Sequence, residues 1–264
     1  VSMRIIELER EMGVELFDRS QRAARITAKG RELMYYAEQL LRLLAEMQER
    51  IGSTDAMQGV LRLGVAEMIS ITWLPQLVSA IHERYPRVTL ELDEALTNDL
   101  VERFASGSLD MILVPGKVPG YSVTPVSIGK VGFAWMASPS LALPQGVLTP
   151  RDLQAWPVIA LSRESYHHTS IEEWFRQSDV FCHRIDTCKS FGVASSLAAA
   201  GLGITLLPPR CYQSEITTGR LRVIKTDPPF PSVEFTATAA VESMLPVAKH
   251  IALLAREISD FEKD

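Results

Sequence analysis

The residue types that carry covalent chemistry are present in this chain, but not at the spacings such chemistry requires. Cys182, His183 and Cys188, with His167 and His168 upstream, could be imagined as a metal site. The spacing C-H-x4-C lacks a paired C-x2-C, and the histidines are not at helical i,i+4 spacing, so no metal is expected. There is no G-x-S-x-G elbow and no G-x-x-x-x-G-K-[ST] phosphate loop. The nearest glycine motif, Gly201-Leu202-Gly203, comes after a helical stretch and precedes the apolar run from Ile204. A dinucleotide site needs its glycines in the opposite order, between strand and helix, so this one reads as a helix stop and tight turn. With no coherent acid, base or nucleophile set, neither an enzyme nor a cofactor is expected.

Binding chemistry is better represented. Ser70 and Thr72 follow an apolar run ending at Ala66, and Thr97 and Asn98 follow one ending at Ala95. Ser190 and Gly192 open the helical stretch before Gly201, while Ser162 and Arg163 follow the run VIAL. Helix starts present free N–H groups and a partial positive charge, and in open α/β sheets ligands sit beyond the carboxyl ends of strands. Each residue alone is more often an ordinary N-cap. If they converge on one cleft, the natural occupant is a carboxylate or similar anion, so the expected ligand is a small anionic metabolite.

A second chemistry lies near the start of the chain. The net charge is −5, yet RSQRAARITAKGR carries Arg19, Arg22, Arg25, Lys29 and Arg31 with no acidic residue. An isolated cluster like this is equally a solvated basic face or a nucleic-acid contact.

The elements that must position these groups can be read from periodicity. Residues 1–12 place Ile5, Leu8 and Met12 on one helical stripe, and Gly13 comes next as a stop. No capping residue or initiator methionine precedes this helix, so the chain reads as beginning inside it. Two short strands around a basic tip are expected between Asp18 and Thr27. Thr27 then caps a helix running to about Gly52, with Leu33, Ala37, Leu40, Leu44, Met47 and Ile51 at alternating steps of four and three. That is an a/d seam for a partner helix, although a helix lying on its own domain would look similar. The polar segment GSTDAMQG detaches this helix from the strand after it and favours a dimer.

From Val60 strands and helices alternate, which implies mostly parallel sheets with helices on their faces. Two such sets are present, so the expected module has two lobes, with crossings near Ala137–Ser140 and Ser232–Glu234. The resulting division is 1–27 (basic helical and β-wing piece), 28–57 (linker helix) and 58–264 (ligand module: lobe I 60–137 and 234–264, lobe II 138–233). Apolar residues make up 47% and charged residues 22%, ordinary values for a globular chain. No apolar run reaches the roughly 18 residues of a membrane span, so no membrane contact is expected. The first residues lack a secretory pattern, and Cys182, Cys188 and Cys211 read as reduced thiols, so a cytoplasmic location is expected.

One resemblance covers the whole chain. The stretch V-S-x-x-I-x-x-L-E-x-x-x-G-x-x-L-F-x-R, here Val1, Ser2, Ile5, Leu8, Glu9, Gly13, Leu16, Phe17 and Arg19, continues with Arg22, Ile26-Thr27 and Gly30. Further matches are Leu74-Pro75, Tyr85-Pro86, G-x-L-D at Gly107–Asp110, and A-G-x-G-I-x-L-L-P at Ala200–Pro208. These residues resemble the LysR-type transcriptional regulators of bacteria. The resemblance implies an α/β fold with a partial winged helix-turn-helix, a long linker helix and a two-lobed effector domain like a periplasmic binding protein. It places Ser2, Met3 and Arg4 on the groove-reading helix and Arg19, Arg22 and Arg25 in the wing. About 30 further residues would precede this point in the family pattern.

The expected effector contacts are Met68, Ser70, Thr97, Ser162, Arg163, Ser190 and Gly192, and of these the resemblance supports Thr97, which matches a position often polar in the family. This chain has Glu67 and Met68 where many members have Ser or Thr, with Ser70 as a substitute, which leaves the effector's chemical class open. The implied partners are promoter DNA, a small-molecule effector, a second copy or a tetramer, and RNA polymerase as a candidate. A solute-binding receptor of the same two-lobed fold is the alternative, and it would call for an export signal.

Overall fold

The structure is a computed structural model that describes residues 3–18, 25–51, 58–118, 125–240 and 247–263. It begins with α1 (Met3–Met12), which ends where Gly13 takes a positive φ of 65°. Strands β1 (Phe17–Asp18) and β2 (Arg25–Ile26) pair antiparallel as a small wing. The Glu9 carboxylate ties α1 to this wing by accepting from the Leu16 and Phe17 N–H groups at 2.8 and 3.1 Å. Helix α2 (Ala28–Ile51) starts on the Thr27 hydroxyl, which accepts from Gly30 N–H at 2.9 Å. A Cβ at Gly30 would lie 2.3 Å from the Leu16 carbonyl oxygen, so only glycine lets the helix approach the turn so closely.

Lobe I is built from β3 (Gln58–Val65), α3 (Glu67–Ser70), α4 (Leu74–Arg84), β4 (Arg87–Glu94), α5 (Thr97–Ala105), β5 (Met111–Pro115) and β6 (Val126–Val131). Lobe II continues with β7 (Ala134–Ala137), α6 (Pro150–Leu153), β8 (Val158–Leu161), α7 (Tyr166–Arg176), β9 (Ile185–Cys188), α8 (Phe191–Ala199), β10 (Ile204–Leu207), α9 (Gln213–Thr217) and β11 (Arg222–Ile224). The chain then returns to lobe I as β12 (Val233–Ala239) and α10 (Val247–Ile258).

The two sheets repeat one plan. In the first, β3 lies parallel between β4 and β5, and β12 runs antiparallel between β5 and β6. In the second, β8 lies parallel between β9 and β10, and β7 runs antiparallel between β10 and β11. The interior strands VIAL and ITLL are buried at every position because helices cover both faces. The lobe II core centres on Trp135, whose ring lies 5.4 Å from Trp174 and 5.6 Å from Phe175. In lobe I, α10 seals the sheet with Val247, Ile251 and Ala255 fully buried.

Two expectations change here. The first crossing lies at Gly132–Phe133, not at Ala137–Ser140, because Ala134–Ala137 pairs with β10 and β11 inside the second sheet. The apolar run VGFAWMA hides this break, since its two ends are both buried although they belong to different sheets. Strand β6, preceding it, is an additional element: Gly129 interrupts its alternation, where the ladder with β12 slips register. The return crossing spans Lys225–Ser232, between β11 and β12.

Candidate functional site: the interlobe cavity

A cavity of about 310 Å³ lies between the lobes. The chain fold explains its position: the carboxyl ends of β3, β4 and β5 in lobe I and of β8 in lobe II all open onto it. Both crossings also contribute wall, through Phe133 on the first and Phe230 on the return, with Val233 beside it at the start of β12. Movement of one lobe against the other would therefore change the cavity directly.

Lobe II supplies an aromatic face. The His167 ring packs edge-to-face on Phe191 at 5.1 Å, and Phe133 lies 6.0 Å from Phe191. His167 is buried, accepts at Nδ1 from Leu161 N–H at 3.3 Å and donates from Nε2 to the Leu206 carbonyl at 2.9 Å. These partners set the tautomer, and burial brings the pKa down to about 4, so the ring is neutral near pH 7.

The polar centre is Glu67, at the first position of α3. Its two carboxylate oxygens lie 2.9 and 2.8 Å from the Phe191 N–H at the start of α8, so a lobe I anion accepts from a lobe II helix N-terminus. The Gly192 N–H contributes to the same carboxylate. Burial raises the Glu67 pKa and the Phe191 amide opposes the rise, while the nearby Glu94 carboxylate adds to it.

Of the residues expected to meet an effector, Met68 and Thr97 stand on the cavity wall. The others do not. Ser162 donates its hydroxyl to the Cys188 carbonyl at 3.2 Å, joining the ends of β8 and β9. Ser190 caps α8 by accepting from Val193 N–H at 3.2 Å. Arg163 is exposed, Ser70 has a buried hydroxyl and does not line the cavity, and Gly192 reaches the site through its amide. Sequence reasoning missed Glu67 as an occupant of a helix start, and with it Phe133, Tyr166, His167 and Phe191. An acidic residue directly after a strand end was the available signal for Glu67.

At the other end of the chain, Arg25 is exposed on β2, and Met3 and Arg4 belong to α1. Ser2, Arg19 and Arg22 lie outside the described residues. On α2, Leu40 is 68% exposed, and Leu33 and Ala37 are half-buried. The side chains of Leu44, Met47 and Ile51 lie outside the described residues. Burial raises the thiol pKa of all three cysteines, Cys182 up to about 12, so none is an activated thiolate. Among the described residues no helix is long and apolar enough to cross a membrane.

Known proteins share this architecture. A family model described as the LysR substrate binding domain matches residues 54–257. The HTH-type transcriptional regulator CzcR of Bacillus subtilis is 23% identical over 221 residues, 84% of this chain and 74% of that protein. Among solved structures, a full-length OxyR variant from Pseudomonas aeruginosa aligns with a TM-score of 0.67 and 20% identity over 98% of this chain and 87% of that one. The CcmR regulatory domain of Synechocystis PCC6803 in complex with 2-PG aligns with a TM-score of 0.66 and 16% identity, over 77% of this chain and 98% of its own. Structural matches at identities this low establish a shared fold.

Proposed function

The chain belongs to the LysR-type transcriptional regulator family, and from that premise we propose that it binds promoter DNA under the control of a small molecule held between its lobes. The interlobe cavity carries this reading, because it is enclosed by both lobes and by both crossings, so its occupancy is coupled to lobe geometry. The structural relative CcmR, which holds 2-PG, supports a small organic effector in a domain of this shape.

In this reading residues 1–27 are the DNA-reading piece, 28–57 the dimerising helix and 58–264 the effector module. Exposed Arg25 on the wing would contact phosphate or minor groove, and α1 with Met3 and Arg4 would face the major groove. The exposed Leu40 and the seam around it would bury against a second copy, giving a homodimer or homotetramer in the cytoplasm. Met68 and Thr97 would touch the effector. The expected anion finds the start of α8 already taken by Glu67, so the reading keeps a small effector and drops the requirement that it be anionic.

Footprinting the protein on DNA upstream of its own gene, with and without a small-molecule extract of its host cells, tests the proposal. Protection that shifts with extract, and no longer shifts when Ala95→Trp fills the cavity wall, is the expected result. No protected DNA, or a shift that survives Ala95→Trp, would overturn it.

A further inference from the structure

Two of the three long helix starts around the cavity are answered by side chains of this chain, and the third, that of α5, has no side-chain cap. At α8 the Phe191 and Gly192 amides face Glu67, and the next amide, Val193, donates to Ser190. At α7 the His168 amide donates to the Ser165 hydroxyl at 3.0 Å. Helix α5 carries its own carboxylate, Asp99, in the first turn, and Asp99 lines the cavity. An incoming carboxylate would therefore meet occupied donors at α7 and α8 and the like charge of Asp99 at α5.

The remaining wall points the same way. Among the described residues that line the cavity, Glu67, Glu94 and Asp99 are anionic and Lys189 alone is cationic, with His167 neutral. Lys189 is exposed, whereas Glu67 is partly withdrawn from water and feels the charge of Glu94. A cation placed between those two carboxylates would relieve their repulsion. Beside them stand the aromatic side chains Phe133, Tyr166, Phe191 and Phe230, the surroundings in which an ammonium gains from ring quadrupoles and an apolar body gains from burial. At about 310 Å³ the space suits a small organic molecule.

We infer that the interlobe cavity selects an organic cation, an ammonium group on an apolar or aromatic body, and that Glu67 is the residue that reads its charge. The inference rests on the proposed interlobe effector site and adds the chemical class of its ligand. Glu67 holds α8 with the lone pairs directed at Phe191 and offers the ligand the remainder, so the same carboxylate binds the cation and bridges the lobes.

A trio of probes alike in shape and different in charge tests this: 2-phenylethylammonium, 2-phenylethanol and 3-phenylpropionate, titrated calorimetrically into the protein. The ammonium is expected to bind about tenfold or more tightly than the carboxylate, with the alcohol between them. Glu67→Gln keeps a carbonyl for the Phe191 amide and should shrink that preference to about threefold or less. Glu94→Gln should reduce it in part, which gives a second readout if Glu67→Gln folds poorly. A carboxylate that binds as tightly as the ammonium, or a preference unchanged in both variants, would overturn the charge assignment. In that case loss of binding in Ala95→Trp or Ser170→Trp, from opposite walls, would leave the interlobe reading standing. If no probe binds at about 5 mM, or if binding ignores both wall-filling variants, the charge assignment and the interlobe reading fail together.

Discussion

At the scale of single residues, the cavity is governed by which polar groups are already satisfied. Ser162 and Ser190 have the residue types of ligand contacts, yet one hydroxyl holds Cys188 and the other caps α8. Their chemistry was legible in the sequence. Their direction was not, because strand pleat and local capping decide where a short side chain points. His167 shows the converse, since a histidine near a strand end has no readable charge until its burial is known. In the native state its pKa is brought down from about 6.5 to about 4. Below the higher value the unfolded chain takes up a proton that the native chain refuses, so stability present above pH 6.5 falls until about pH 4, by roughly 3 kcal/mol. Thermal melts of the wild type and His167→Phe across that range should therefore differ in slope, with the variant losing less on acidification. Parallel slopes would mean that His167 is not held neutral.

At the scale of elements, most strands and helices were readable because their periods are strong. The runs VIAL and ITLL are too short and too uniformly apolar for anything but interior strands. The exceptions have particular causes. Strand β6 carries Gly129 at the register slip, and the four-residue α3 is shorter than any periodic signal can show. Helix α2 is the clearest case of an element whose sequence asks for something its own chain does not supply. Leu40 is left 68% exposed, a cost that pairing with a second α2 would remove. Leu40→Asp would put a charge into that seam and should dissociate the oligomer, as sedimentation velocity would show. An unchanged sedimentation coefficient would move the subunit contact away from this helix.

For the whole molecule the decisive feature is that two lobes of one plan are joined twice and are bridged at the cavity by the Glu67 carboxylate, with the Arg210–Asp260 ion pair linking them elsewhere. The Glu67 contact to Phe191 spans the cleft without any covalent neighbour to enforce it. Removing the acceptor with Glu67→Ala should raise hydrogen exchange at the Phe191 and Gly192 amides by about tenfold, while the amides of β8 and β10 stay protected. Unchanged exchange at Phe191 would mean that Glu67 does not hold the lobes. By itself the sequence determined that there would be a basic helical head, a long apolar-seamed helix and two α/β sets, because periodicity and turn chemistry act over a few residues. It also placed Thr97 and Met68 just beyond strand ends, and both line the interlobe cavity. Only the tertiary structure decided where the chain crosses between lobes and which helix starts were still free. Those answers depend on pairings between residues far apart in the chain, such as Trp135 with Leu206 and Glu67 with Phe191, and local sequence holds no record of them.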